Sequence, residues 1–171
     1  VFKLEKDIGI KSTFFVLLSS PSYNILSNSN REILREMISS GFEIGLHFDP
    51  KLYLGKGKEL SIHVKQEASI LSNIIGKNVK SISFHNPSIS SITFVESDLI
   101  NAYDEKFFGD EKYFSDSCMD FRGKNPYSFV DNSNKKMSLQ ILLHPEFYGD
   151  QEYTFTEMLS VHLNSEIQEL N

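Results

Sequence analysis

The sequence predicts an α/β protein built around a mainly parallel sheet or barrel. Short apolar segments with the composition of β-strands alternate with segments whose apolar residues have helical spacing, and turn-forming residues separate them. Alternation at this spacing is typical of βα units. In such folds the loops that follow the carboxyl ends of the strands build the functional site.

The first residues are predicted to form the end of a helix that leads into a buried strand. The helix should stop at Gly9, because glycine readily adopts the conformation that ends helices. Residues 12–18, STFFVLL, form a continuous apolar run, which is typical of a strand covered on both faces. Since the chain opens on Val1 inside a helix, we expect that a further strand precedes it in the full protein.

A helix and a second strand are expected after a polar loop at 19–30. Ser29 and Glu32 have the spacing of a capping box at the start of the helix. Gly41 should end this helix, and residues 42–47, FEIGLH, should form the strand. The expected apolar face of the helix comprises Ile33, Leu34, Met37 and Ile38.

The next units repeat this order. A helix is predicted over 59–75, ended by Gly76, and strands are predicted at 79–84, 112–117 and 138–144. The apolar face of that helix consists of Val64, Ala68, Leu71 and Ile75.

A final helix is predicted near the end of the chain. Thr154 and Glu157 have the spacing of a capping box that would open it. The segment 91–111 mixes acidic and aromatic residues and predicts no clear element. The apolar face of the final helix would comprise Leu159, Leu163, Ile167 and Leu170.

Composition limits the class of protein. The 171 residues, 40% of them hydrophobic and 23% charged, predict one globular domain spanning 1–171. The net charge of −6 and the lack of a Lys/Arg cluster argue against a nucleic-acid partner. Cys118 is the only cysteine, which excludes an intrachain disulfide and a cysteine-based zinc site.

The longest apolar run, 14–18, is too short to cross a bilayer, and no signal peptide is visible, so we expect no transmembrane segment and a cytoplasmic location. The oligomeric state is left open.

Three of the five histidines occupy the same place in the pattern. His47, His85 and His144 each end an apolar strand run, and a proline follows each within three residues. A single histidine at a strand end is usually a structural, hydrogen-bonded residue, but three at the same end of different strands favour a shared site. Neutral imidazole nitrogens suit a divalent transition metal. Because metal ligands lie near 2 Å from the ion, we expect the three side chains to converge within about 8 Å at one rim of the sheet.

Other polar residues leave two interpretations open. Asp116 lies between two serines at a strand end, where it would either cap a turn or orient a catalytic histidine. Asp49 is a metal ligand or a turn-former before Pro50. Three aromatic residues on neighbouring loops either stack on a sugar or fill the core: Tyr53, Phe147 and Tyr148.

The remaining histidines and the cysteine are expected to lie outside the site. His63 falls off the apolar stripe of its helix and is interpreted as a solvated surface residue. His162 neighbours the apolar face of the last helix and is interpreted as a boundary residue. Cys118 has no histidine beside it in sequence and is interpreted as a buried thiol.

The ordered motifs resemble those of the NodB-like polysaccharide deacetylases, a group of carbohydrate esterases. GIKSTFFVL is followed by GFEIGLH, which matches the first pair of family segments closely. SFHNP, SDSCMDF and ILLHP then follow in the family order, so that the resemblance covers roughly the whole chain outside 91–111.

The resemblance implies a distorted, incomplete (β/α) barrel whose first strand is missing here. It implies a hydrolase that uses a divalent metal, with zinc as first choice, to remove an N-acetyl or similar acyl group from an amino sugar or surface glycan. By analogy with the family, His47 is a metal ligand, His144 is the general acid and Asp116 is the partner that orients His144. The expected contacts with the carbohydrate substrate come from Tyr53, Asn86, Ser117 and Tyr148.

Two positions depart from the family pattern. The family has a second histidine four residues after the first, where this chain has Lys51, and an arginine where this chain has His85. We infer that His85 supplies the imidazole that Lys51 does not. The alternative is a catalytically inactive carbohydrate-binding or scaffold domain that retains the fold. A metal phosphoesterase fits the histidines but not the order of the motifs.

Overall fold

The computed structural model describes residues 1–54, 59–131 and 138–148, together with eight residues further on: 153, 154, 156, 157, 160, 161, 163 and 164. The chain divides into two compact units, Val1–Asp104 and Glu105–Asn171. The single domain expected from composition stays a prediction, and each unit has a parallel sheet of its own.

The first unit alternates helices and strands in the predicted order. Its four strands are all parallel and lie in the order β1-β2-β3-β4, which confirms an α/β protein with a parallel sheet. The elements are α1 (Phe2–Ile8), β1 (Thr13–Val16), α2 (Asn28–Ser39), β2 (Glu43–Phe48), α3 (Leu60–Ile75), β3 (Ser81–Phe84), α4 (Pro87–Ser90) and β4 (Ile100–Asn101).

Glycines end the long helices as the sequence predicts. Gly41 follows α2 with φ 86°, and Gly76 follows α3 with φ 70°, both in the left-handed region that glycine reaches without steric cost. The start of α2 differs from the prediction. The helix begins at Asn28, so that Ser27, whose side chain accepts a hydrogen bond from the Asn30 backbone N–H at 3.2 Å, is the cap, and Ser29 is already inside the first turn.

The core of the first unit lies between the sheet and its helices. Leu46 and Phe48 of β2 are fully buried, as are Val64 and Leu71 of α3. The predicted face of α2 is only partly correct, because Leu34 is buried whereas Ile33 is 47% exposed. The remaining two residues of that face, Met37 and Ile38, are half-buried and pack against the core.

Gly45 allows β1, β2 and β3 to pack closely. A Cβ atom at this position would lie 2.6 Å from the Phe15 ring and 2.6 Å from Ser81 Oγ. Both distances are shorter than any ordinary contact, so the middle strand requires a residue without a side chain here.

The second unit pairs two short parallel strands. They are β5 (Tyr113–Ser115) and β6 (Gln140–Leu142), with α5 (Pro126–Asp131) between them in sequence. Phe114 of β5 is buried and contacts the rings of Phe121 and Phe129. These contacts form an aromatic core on one side of β5.

The predicted capping box of the last helix is present. The carboxylate of Glu157 accepts from the Thr154 backbone N–H at 2.8 Å and from its hydroxyl at 2.7 Å. Leu163 is exposed, while the predictions for Leu159, Ile167 and Leu170 lie outside the described residues. Across the part of the chain that is described, no helix has the length and apolar character needed to cross a membrane.

Candidate functional site

His47 and His85 meet at the carboxyl ends of β2 and β3. His47 lies opposite Ser83 in the parallel ladder, and the backbone N–H of His85 extends that ladder by donating to Phe48 O at 2.8 Å. This register places His47 Nε2 3.2 Å from His85 Nδ1, with the two rings nearly perpendicular at 87°. The sequence therefore predicted correctly that these two strand-end histidines would be neighbours.

The separation of the two nitrogens fits a shared metal ligand pair. Two nitrogens bound to one zinc ion at about 2.0–2.1 Å, with angles between about 90° and 109°, lie about 2.8–3.4 Å apart. The distance of 3.2 Å between His47 Nε2 and His85 Nδ1 falls in that range. No group of three or more His, Cys, Asp or Glu side chains arranged to hold a metal occurs among the described residues.

The structure of the loop after β2 shows how Asp49 is used. Asp49 Oδ1 accepts a hydrogen bond from the Lys51 backbone N–H at 3.0 Å and so caps the short 3-10 turn Pro50–Leu52. Asp49 is therefore a turn-former in this structure.

Asp116 and His144 form a second pair, within the second unit. His144 Nδ1 lies 2.6 Å from Asp116 Oδ1, and the His144 backbone N–H donates to Asp116 Oδ2 at 2.9 Å. Tyr148 donates its hydroxyl hydrogen to the same Oδ2 at 2.9 Å. Asp116 is 2% exposed, whereas the side chain of His144 is 34% exposed. The carboxylate is thus buried beneath an accessible imidazole.

This arrangement makes Asp116 the partner of the His144 ring, while a catalytic role for the pair stays a prediction. The side chain of Asp116 makes no hydrogen bond to the described backbone of the 3-10 turn Ser117–Met119 that follows it, and it holds His144 instead. Because a carboxylate only accepts hydrogen bonds, the nitrogen that faces it, His144 Nδ1, carries a hydrogen. His144 Nε2 is then the nitrogen that can exchange a proton with a ligand.

Tyr148 and Ser117 were expected to contact substrate, and both make contacts inside the second unit. Burial, the hydrogen bond to Asp116 and the negative charge of that carboxylate raise the pKa of Tyr148 to about 12, so the hydroxyl remains a donor at neutral pH. Ser117 Oγ lies 2.6 Å from Ser115 Oγ. The ring of Phe147 stacks on His144 with centroids 5.1 Å apart. Substrate contacts from Tyr148 and Ser117 stay predictions.

Tyr53 and His63 stack on one another in the first unit. Their ring centroids are 4.0 Å apart, and Phe48 stacks on Tyr53 as well, at 5.4 Å. The interpretation of His63 as a solvated residue is wrong: the ring is half-buried because the loop after β2 brings Tyr53 over the first turn of α3. A sugar contact from Tyr53 stays a prediction.

The sequence did not reveal one buried carboxyl, which lies on α3. Glu67 is 5% exposed, and Tyr53 donates its hydroxyl hydrogen to Glu67 Oε1. Burial raises the pKa of Glu67, and the nearby charge of Asp49 adds to the effect, while the bond from Tyr53 opposes it. The available signal was its position three residues after Val64, on the apolar stripe of the helix.

The other expected site residues are placed as follows. Asn86 follows His85, and its amide nitrogen lies 2.9 Å from His85 Nε2. His144 belongs to the second unit, so its convergence with the histidines of the first unit stays a prediction. The expectations for the Cys118 side chain and for His162 fall outside what the structure describes.

Comparison with known proteins leaves the site to be interpreted from its own geometry. No family model matches the chain, and no curated protein matches it.

Proposed function

We propose that this protein is a metal-dependent hydrolase that removes an acyl group, such as N-acetyl, from an amino sugar or a surface glycan precursor. The observation that carries the proposal is the contact of 2.6 Å between the buried carboxylate of Asp116 and Nδ1 of the accessible His144. A histidine held in this way exchanges protons with a substrate through its other nitrogen.

In the proposed reaction His144 is the general acid. An amine is a poor leaving group unless it is protonated as the bond to the acyl carbon breaks. His144 Nε2 would supply that proton, and the negative charge of Asp116 would stabilise the imidazolium form before the transfer. The hydrogen bonds from the His144 backbone N–H and the Tyr148 hydroxyl keep the carboxylate in place.

The proposed metal ligands are His47 and His85. Their facing nitrogens, 3.2 Å apart, support a divalent cation, with zinc as first choice. Such an ion supplies Lewis-acid chemistry towards an acyl carbonyl when it is bound.

The substrate class rests on the ordered motifs. GFEIGLH, SFHNP and ILLHP occur in the order of the polysaccharide deacetylases, and the parallel strands with histidines at their carboxyl ends are compatible with that resemblance. The distorted, incomplete barrel of that family is part of the same proposal. So is a carbohydrate substrate, with contacts expected from Tyr53, Asn86, Ser117 and Tyr148.

The test is acetate and amine release from an acetylated amino-sugar oligosaccharide by the full-length, zinc-loaded protein. His144→Ala should lower kcat about 10²–10⁴-fold, the usual contribution of a general acid, while the zinc content stays unchanged. His144→Asn keeps a donor towards Asp116 but has no imidazole, and should lower kcat equally. His47→Ala should lose zinc and activity together, because it removes a ligand. Equal zinc loss in the His144 and His47 variants would contradict the roles assigned here.

A carbohydrate-binding or scaffold domain is the second candidate. It is favoured by the absence of a three-ligand metal group among the described residues and by Lys51 at the family's second histidine position. This candidate predicts that the wild-type protein binds the oligosaccharide but releases no acetate, and that His144→Ala binds equally well.

A further inference from the structure

Asn86 sets the hydrogen-bonding state of the two histidines beside it. Its amide nitrogen, which can only donate, lies 2.9 Å from His85 Nε2, so that this ring nitrogen accepts. A neutral imidazole carries one hydrogen, and in His85 it must then be on Nδ1. Nδ1 faces His47 Nε2 at 3.2 Å and donates to it. The three side chains form a directed chain from Asn86 through His85 to His47.

With the hydrogen on His85 Nδ1, the two histidines cannot bind a cation together. His85 Nδ1 carries the hydrogen and has no lone pair in the ring plane, while the lone pair of His47 Nε2 accepts the hydrogen bond. Two imidazoles can share one metal ion only if both facing nitrogens offer a lone pair. The hydrogen on His85 must therefore move from Nδ1 to Nε2 before both rings can bind the same ion.

A rotation of the Asn86 carboxamide by half a turn would favour that move. The rotation places Oδ1, an acceptor, where the amide nitrogen now faces His85 Nε2. An acceptor there stabilises the Nε2–H form, which leaves the Nδ1 lone pair free. Acceptors that hold the outer nitrogen of a metal-binding histidine are the usual means of orienting such a ligand.

The backbone keeps Asn86 beside the ring. Asn86 has φ 45° and ψ 56°, in the left-handed region that asparagine, aspartate and glycine tolerate better than other residues, and its carbonyl accepts from the Ser90 N–H at 3.1 Å. Among these three residues only asparagine offers both a donor and an acceptor on the same short side chain.

We propose that Asn86 selects the tautomer of His85. When its amide nitrogen faces His85 Nε2, the His47–His85 pair cannot bind a divalent cation. When its amide oxygen faces that nitrogen, the pair can bind one. The cation-binding part of this proposal rests on the metal ligands assigned under the proposed function. Asn86 acts here as a positioning residue, in addition to the substrate contact expected for it.

Two substitutions at Asn86 and one charge control test the proposal. Asn86→Asp leaves only acceptor oxygens, and Asn86→Gly removes the side chain while suiting the left-handed backbone. Ser88→Asp adds the same negative charge at an exposed position two residues along. In metal-free protein at pH 8, nitrogen-15 NMR should find the His85 hydrogen on Nδ1 in the wild type and in Ser88→Asp, and on Nε2 in Asn86→Asp.

Titration with zinc alone supplies the second readout. Asn86→Asp should bind zinc about 10-fold or more tighter than Asn86→Gly, the usual size of the effect of a histidine's outer partner. Ser88→Asp should bind zinc as the wild type does. An Nε2–H tautomer in the metal-free wild type would overturn the proposal, and so would zinc binding by Asn86→Asp that is no tighter than zinc binding by Asn86→Gly or by Ser88→Asp. The expected tautomer change without zinc binding in any variant would support the tautomer selection and contradict the metal site of the proposed function.

Discussion

Each of the two units buries a carboxyl side chain that accepts a hydrogen bond from a tyrosine hydroxyl. In the first unit Glu67 is 5% exposed and bonded to Tyr53, and in the second unit Asp116 is 2% exposed and bonded to Tyr148. The two carboxyls differ in their other neighbours. Asp116 also accepts from the ring and backbone nitrogens of His144, whereas Glu67 lies on an apolar helix face near the negative charge of Asp49.

This difference teaches that two carboxyls with similar burial can have different hydrogen-bond partners, and that the partners decide what each carboxyl can do. N–H and O–H donors converge on the side chain of Asp116: the ring and the backbone of His144, and the hydroxyl of Tyr148. The environment of Glu67 favours the neutral form, because burial raises its pKa. Asp116 therefore holds the ring of His144 in position, while Glu67 links α3 to the loop after β2 through Tyr53.

The largest expected effect is a difference in kcat between variants of the two carboxyls. If His144 is the general acid of the proposed function, Asp116→Asn should lower kcat about 10²–10⁴-fold with little change in KM, since it removes the negative charge beside the ring. Glu67→Gln, the matched control, should change kcat by less than about 3-fold, because a side chain outside the reacting groups contributes no general acid chemistry. Steady-state kinetics on an acetylated amino-sugar oligosaccharide measures both. Equal losses of kcat in the two variants would contradict the different roles assigned to Asp116 and Glu67.

A second effect concerns the pH dependence of stability in the first unit. The folded protein holds the Glu67 proton more tightly than the unfolded chain, because burial raises the pKa of this carboxyl above its ordinary value of 4.5. The resulting stability is fully present below pH 4.5 and is lost as the pH rises through the raised pKa of the folded state. Glu67→Gln cannot titrate, so it should gain stability relative to the wild type as the pH rises.

Urea unfolding followed by circular dichroism from pH 4 to pH 8 measures this difference. One proton limits its slope to about 1.4 kcal/mol per pH unit. A difference between wild type and Glu67→Gln that does not change with pH would contradict the raised pKa.

The smallest expected effects come from the two tyrosine hydroxyls. Tyr148→Phe and Tyr53→Phe each remove one hydrogen bond to a carboxyl, and each should lower the free energy of unfolding by about 1 kcal/mol. The hydrogen bond from Tyr53 lowers the pKa of Glu67, so Tyr53→Phe should also extend the pH dependence described above to higher pH. The same urea titrations test this, and an unchanged pH range in Tyr53→Phe would show that the hydroxyl does not act on Glu67.

The local elements of this protein could be predicted because their signals lie close together in sequence. Helix ends at Gly41 and Gly76 follow from the conformational freedom of glycine, and the strands at 42–47 and 79–84 follow from short segments of apolar residues soon after those glycines. The predicted cap of α2, Ser29, lies two residues after the observed cap, Ser27, since several serines and asparagines there satisfy the same capping rule and only the helix start distinguishes them.

The sequence by itself determined the order of the elements from α1 to β3, the parallel class of the sheet and the position of His47 and His85 at strand ends, because each depends on spacing along the chain. It did not reveal α4, β4 or α5, which are short. Only the tertiary structure decided the contacts that give these residues chemistry. The strand register sets His47 Nε2 and His85 Nδ1 3.2 Å apart, and the pairing of β5 with β6 joins residues 28 positions apart, Asp116 and His144. Such contacts depend on distances in space between segments far apart in sequence, which no local pattern encodes.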